Sequence, residues 1–247
     1  MVTAAILLGT LYPIAIDAMG GKISVGPPYF NLMFILLTAP LGVLIGIGML
    51  IRWKNDSLQR LKSRLWMPAL LALVLGAVLA LLQPDWQWAA FGGLAMALWI
   101  AMTAVLAIHE RFRNRSLASA LRSTPAGFYG MILGHIGIAV FIVGVTLTSL
   151  YTKEKDLRMA PGDTYSVAGY EFTFHGVRQF DIANYVATRG GFTVRSENGN
   201  FSAEMFPEKR TYLVQTMPMT EAAIDAGLTR DLFIALGEPL DQQGAWA

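Results

Sequence analysis

The sequence contains no cysteine, which excludes disulfides, thiolate metal sites and a cysteine nucleophile and leaves the compartment open. Charge is scarce as well. Asp, Glu, Lys and Arg make up 15% of the 247 residues, against about 25% in an ordinary soluble domain. Histidine occurs three times. The N-terminus lacks the basic start and small-residue cleavage site of a signal peptide. Apolar residues are abundant, at 54%. The net charge of +2 does not point to nucleic acid, because the basic residues of the first half sit in two short clusters between apolar runs. The two halves differ: up to Leu150 there are 10 Lys+Arg against 4 Asp+Glu, and from Tyr151 onward 9 against 13.

A membrane-spanning helix needs about 20 mostly apolar residues, roughly 17 to 25. Five runs qualify or nearly do. Residues 2–16 are apolar but short and read as a partial span. Residues 29–51, 66–82 and 88–108 carry no charge, and 127–150 contains only Tyr129 and His135 as ionisable groups. Lys and Arg accumulate on the cytoplasmic side of membrane proteins. The segment 52–65 holds Arg52, Lys54, Arg60, Lys62 and Arg64, and 109–126 holds Arg111, Arg113, Arg115 and Arg122. The intervening loops, 17–28 and 83–87, contribute only Lys22. The expected topology therefore places both basic loops inside and the Lys22 and Trp86 loops outside. Residues 151–247 are then extracytoplasmic.

After Tyr151 continuous apolar runs give way to alternation. Tyr170, Phe172 and Phe174 share one face, and Glu171, Thr173 and His175 the other, the period-2 pattern of a half-buried strand. Short runs at 164–168, 191–195, 211–215 and 231–236 are bounded by Gly, Asn or Pro. Residues 220–226 predict a short helix with Thr220 as N-cap. The fold class expected is an α-helical integral membrane protein (1–150) with a small β-rich extracytoplasmic domain (151–247). The latter shows no internal repeat, no Ser-His-Asp arrangement and no metal-ligand spacing.

His135 is the residue with most to say. An ionisable side chain inside a spanning helix is costly, faces the bundle interior and is functional by default. It lies about 12 Å into a helix beginning near Gly127, at 1.5 Å per residue. Phe128, Met131, Ile132, Ile138, Ala139 and Ile142 share its face. Gly130, Gly134, Gly137 and Gly144 form an adjacent smooth strip, suited to close helix packing. A neutral imidazole there suits an axial ligand of haem iron, and equally a proton relay or a hydrogen bond between helices. His109, beside Glu110 and Arg111, reads as a polar tip at the interface, and His175 as solvent-exposed.

The loop Gly21-Lys-Ile-Ser-Val-Gly-Pro-Pro-Tyr-Phe-Asn31 fixes a shaped turn. Its Lys22, Ser24, Tyr29 and Asn31 make either a helix-entry geometry or a binding lip. Trp86 and Trp88 fit an aromatic belt.

Leu8-Gly-Thr-Leu-Tyr-Pro13, the Gly21–Asn31 stretch, and Gly134-His-Ile-Gly137 within a helix together resemble the later part of the bacterial cytochrome c maturation haem lyases, the CcmF/NrfE family. Pro218-Met-Thr-Glu-Ala-Ala-Ile-Asp-Ala-Gly-Leu-Thr-Arg-Asp-Leu232 and Ala235-Leu-Gly-Glu-Pro-Leu240 carry the resemblance to nearly the whole chain. The resemblance implies a haem lyase of the inner membrane. Its substrates are haem and the thiols of a Cys-x-x-Cys-His motif in apocytochrome c. Its partners are a haem chaperone and a thioredoxin-like subunit that delivers the apocytochrome. It also implies a resident haem b between two intramembrane histidines, of which His135 matches the second.

The family's tryptophan-rich haem-handling motif, its two outer histidines and the first intramembrane histidine have no counterpart here. The chain is therefore expected to be truncated at both ends or one product of a split gene. It would work with the N-terminal half of the same lyase within the lipid membrane. Two other classes stay open. One is a transporter or channel component with His135 on a proton or substrate path, and the other is a haem-free assembly scaffold.

Overall fold

The computed structural model describes residues 1–52, 54–214, 218–227, 230–240 and 244–247. It divides into two compact units, Met1–Thr152 and Lys153–Ala247.

The first unit is helical: α1 (Val2–Ala18), α2 (Pro27–Gly48), α3 (Leu58–Leu81), α4 (Trp88–Phe112), α5 (Leu117–Ser123) and α6 (Ala126–Tyr151). Among the described residues, α2, α3, α4 and α6 are long and apolar enough to cross a membrane, and α1 is a shorter apolar helix. α4 is the hub, packed against α2, α3 and α6. Small residues make this possible. On α3 the buried positions Pro68, Ala72, Gly76 and Ala80 recur every fourth residue, so one smooth stripe faces α4. At Gly76 the backbones come so close that a Cβ would stand 2.9 Å from the Cα of Ala95. The same holds where α6 meets α4, since a Cβ on Gly93 would collide with the hydroxyl of Thr146 at 2.1 Å. Exposed Leu, Ile, Val and Phe side chains cover much of the outer surface of this unit, as lipid contact requires.

Two features depart from the expectation. α3 begins at Leu58 rather than at 66. Ser57 caps it by accepting the Arg60 N–H, and Leu, Gln, Arg and Lys are good helix formers, so the basic segment is itself helical. The other loop, 109–126, contains the unforeseen α5, capped by Ser116. Its apolar pattern is too short to stand out beside four arginines.

The second unit is a sandwich. Its larger sheet runs in the order β1 (Thr164–Val167), β2 (Tyr170–Ile182), β3 (Tyr185–Ser196), β5 (Glu208–Tyr212), β6 (Pro218–Glu221), with β4 (Ser202–Met205) also on β3. β7 (Ala223–Ala226) and β8 (Asp231–Ile234) form a two-stranded second sheet. Leu232 and Ile234 alternate inward from β8 and join Phe174, Phe192, Val194, Met205, Leu236 and Trp246 in one core. Phe174 is buried and His175 exposed, so the alternation read over 170–175 is kept.

The helix expected over 220–226 is absent, and this is a correction. Thr220 and Glu221 pair with Lys209 and Glu208 in β5, and Ala223–Ala226 pair with Asp231–Ile234 in β8. A seven-residue segment without an apolar stripe cannot sustain a helix alone, and two sheet edges offer its backbone partners instead. The run 211–215 is realised as β5 over Glu208–Tyr212, with residue 215 outside the described residues. The runs 191–195 and 170–175 are parts of one long hairpin, β2–β3. Its pattern is interrupted by a bulge between Phe174 and Val177, where Gly176 takes φ +97°. Opposite, β4 ends and β5 begins on either side of Phe206-Pro207. The sheet bends at this level, at Gly190-Gly191 of β3.

Candidate functional site

His135 lies nine residues into α6 from Ala126, about 14 Å along the helix axis. Two apolar clusters flank it along the α4–α6 contact. One joins Ile132, Met131 and Phe128 to Ala104, Ala107 and Leu50, and the other joins Ala139, Ile142 and Val143 to Ala97 and Ile100. His135 is half-buried. It stands at the margin of the packed stripe, because residues i−4, i−3, i+4 and i+7 share its side of the helix.

The ring is held by the helix itself. Nδ1 lies 2.6 Å from the carbonyl oxygen of Met131. A carbonyl can only accept, so Nδ1 carries the proton and donates, which in the neutral imidazole leaves the lone pair on Nε2. That tautomer is the one a metal ligand requires at Nε2. Gly130, Gly134 and Gly137 lie on another face of α6, roughly 100–160° around the axis from His135, and a Cβ at any of them would meet nothing within 4 Å. That face does not pack against a helix of this unit. A half-buried imidazole with one ring nitrogen available, flanked by two apolar clusters, fits a ligand of haem iron.

The remaining sequence-predicted groups fall elsewhere. His109 is exposed in the last turn of α4. His175 is exposed on β2, its Nε2 2.7 Å from the Thr193 hydroxyl. His109 lies in the last turn of α4, at the end of the bundle where α6 begins, and His175 belongs to the second unit. Among the described residues no three His, Asp or Glu side chains gather as a metal-holding group. In the Gly21–Asn31 loop, Pro27 opens α2 and the Tyr29 hydroxyl donates to the Ala5 carbonyl at 2.9 Å. Tyr29 thereby ties α2 to α1, while Lys22, Ser24 and Asn31 are exposed. Trp86 and Trp88 meet edge to face at 5.3 Å, and Phe91 stacks on Trp86 at 6.0 Å. Both tryptophans are exposed, the arrangement of an interfacial belt.

The β unit holds a cluster that sequence reading missed. Glu208, 6% exposed, accepts from Arg189 Nε at 2.6 Å and from Arg210 Nε at 2.8 Å. Burial pushes its carboxyl up, but hydrogen bonds from Arg210 and Arg189 outweigh this and hold it below the usual range. Arg189 lies over the Phe180 ring at 4.6 Å and Arg210 over that of Tyr185 at 5.0 Å. Arg210 is two residues along β5 from Glu208, whereas Arg189 reaches it only through the register of β3 with β5, which no local motif announces. At the bend, a groove of about 350 Å³ is lined by His175, Arg178, Phe180, Arg189, Glu204 and Phe206, among others.

A bundle of apolar helices with one half-buried histidine, followed by a β-sandwich, defines a multi-pass membrane protein with a β domain. Residues 150–247 match the family described as CcmF C-terminal beta-sandwich. Over 98% of its length the chain is 44% identical to the cytochrome c-type biogenesis protein CcmF of Pseudomonas fluorescens, covering 36% of that protein. It is 39% identical to CcmF of Escherichia coli (strain K12), again over 98% of the chain and 36% of the relative. NrfE of Haemophilus influenzae is 31% identical over 96% of the chain. A solved structure described as "Cytochrome c Heme Lyase CcmF" shares the fold, with a TM-score of 0.68 at 20% identity over 99% of this chain and 39% of that one. The chain is homologous to the C-terminal part of the CcmF/NrfE cytochrome c-type biogenesis proteins, and it spans little more than a third of their length.

Proposed function

We propose that this chain is the C-terminal part of a haem lyase that attaches haem covalently to apocytochrome c, with His135 as one axial ligand of a resident intramembrane haem b. The observation that carries the reading is the His135 ring. Its Nδ1 donates to the Met131 carbonyl, which leaves Nε2 as the ring nitrogen able to ligate iron. When bound, such a haem supplies a one-electron donor for the iron of the incoming substrate haem. This chain's part is to hold the ring and its tautomer through the Met131 carbonyl, and to keep water from it with Phe128, Met131, Ile132, Ala139 and Ile142. The second ligand would come from the N-terminal part of the lyase. The family resemblance extends the proposal to a haem chaperone and a thioredoxin-like subunit as partners, and to the bacterial inner membrane with residues 151–247 in the periplasm. Charge supports that orientation, since the arginine-rich segments join the ends of α2–α3 and α4–α6.

The test is co-expression of this chain with the N-terminal part of a CcmF relative, followed by reduced-minus-oxidised spectra of the purified complex. The b-type bands should vanish in His135→Ala while assembly persists. Bands unchanged in that variant would refute the ligand assignment.

A further inference from the structure

We infer that the arginine-rich helix ends around Arg111 form a binding site for the phosphate of an anionic phospholipid headgroup. α3 begins, α4 ends and α6 begins at one end of the bundle, where Arg64 of α3 pairs with Glu110 of α4. The two basic segments, 52–65 and 109–126, contain two acidic residues, Asp56 and Glu110. Both are taken: Asp56 holds Arg60 at 2.7 Å, and Glu110 holds Arg64. Among the described residues, Arg111 is left with an aromatic contact alone, its guanidinium 5.9 Å from the Phe128 centroid.

Arg111 is not an ordinary solvated arginine of a cytoplasmic loop. It is half-buried, and its Nε is shut off from solvent with no hydrogen-bond partner among the described residues. The shielded Nε is out of reach of an outside group, so the terminal nitrogens, which have no carboxylate among the described residues, are the donors an acceptor from outside the chain can meet. The guanidinium fork matches a phosphate bidentately, and at the end of a spanning helix the phosphates at hand are those of the headgroup layer.

α5 supplies the second observation. The Tyr129 hydroxyl donates to the Leu121 carbonyl at 3.1 Å, and Ala120 is buried, so α5 is fixed against the bundle. Its Leu117 and Leu121, one turn apart, are 67% and 48% exposed. Arg115 reaches along α5 to donate to Ser123, the neighbour of Arg122 in sequence, at 2.9 Å. Two leucines directed away from the protein, with arginines at their margin, are the arrangement of a helix lying in the interface. It places Arg115 and Arg122 at the same headgroup level as Arg111, where each adds attraction to an anionic surface.

The experiment is native mass spectrometry of the purified full chain in neutral detergent. Phosphatidylglycerol, phosphatidylcholine and inorganic phosphate are titrated separately. Phosphatidylglycerol should be retained about tenfold more tightly than phosphatidylcholine, and Arg111→Gln should remove most of that difference. Arg111→Lys should restore it only in part, and Arg178→Gln in the β unit should leave it unchanged. Should Arg111→Gln fail to fold, the wild-type protein still tests the site, because added salt must weaken phosphatidylglycerol retention. Equal retention of the two lipids, retention indifferent to Arg111 or to salt, or displacement of the lipid by inorganic phosphate would each overturn the inference.

Discussion

The indole Nε1 of Trp99 donates to the Val43 carbonyl at 3.1 Å, and the same ring occupies the space in front of Gly46, where a Cβ would come within 2.2 Å of that nitrogen. The α2–α4 contact thus combines a close fit with a hydrogen bond between helices. Gly46→Ala would force a rigid ring out of place, and overpacking of this kind destabilises by about 1–3 kcal/mol. Trp99→Phe keeps an aromatic ring but loses the donor, about 0.6 kcal/mol, together with the contacts of the five-membered ring, so its cost should fall at the low end of that range. Thermal unfolding of the two variants in detergent should rank them in that order.

Arg64 and Glu110 join α3 to α4 outside the apolar stripe. Each side chain retains about a third of its exposure, so removing either should cost only about 0.5–1 kcal/mol. The exchange Arg64→Glu with Glu110→Arg should recover most of the loss, and a double-mutant cycle on unfolding midpoints measures the coupling.

Glu208 gives the β unit a pH dependence. Its folded pKa lies below the ordinary value of 4.5, so the ionised, doubly bonded form stabilises the fold above that value. The contribution is lost as pH falls through the lowered folded pKa. Glu208→Gln should destabilise by about 2 kcal/mol at neutral pH. The gap between wild type and variant should close as the medium is acidified below 4.5. Denaturant titrations at several pH values would reveal a gap independent of pH if the cluster were inert.

Gly176 adopts a φ of +97° at the bulge, a conformation an L side chain occupies only with strain. Gly176→Ala should cost about 1–2 kcal/mol, whereas Gly191→Ala, whose Cβ would meet His175 at an ordinary 3.7 Å, should be far milder. Paired unfolding curves decide.

The absence of cysteine makes orientation directly measurable. Single substitutions Lys62→Cys and Ser202→Cys, probed with a membrane-impermeant thiol reagent, should label from opposite faces of the membrane. Labelling of both from one face would overturn the charge-based topology.

Helices were the legible part of this sequence. A run such as 88–108 has no charge and needs only length to declare itself, whereas its true end, Phe112, lies beyond the apolar pattern because His109 to Phe112 continue as good helix. His135 was equally legible, since a lone ionisable group in such a run stands out by its cost. The orientation of its ring was not, because the Met131 carbonyl belongs to every helix and leaves no mark in the side-chain pattern. The β unit was read poorly for a physical reason. Its decisive pairings, Glu208 with Arg189 and Ala223 with Ile234, are fixed by register between strands, and Thr220 to Ala226 by themselves carry helix-compatible residues. Arg111 read as one of several loop charges until the pairing of Glu110 with Arg64 left it without a carboxylate.

The bulge at Gly176 lets one hairpin serve both ends of the larger sheet. β1 and β4 hang on its base, β5 and β6 on its tip, and among the described residues no strand outside the hairpin links them in that sheet. Neither set can detach and leave a self-sufficient remainder. Amide protons at the tip, around Thr188, and at the base, around Val194, should therefore exchange through a common opening event, and the unit should come apart in a single step.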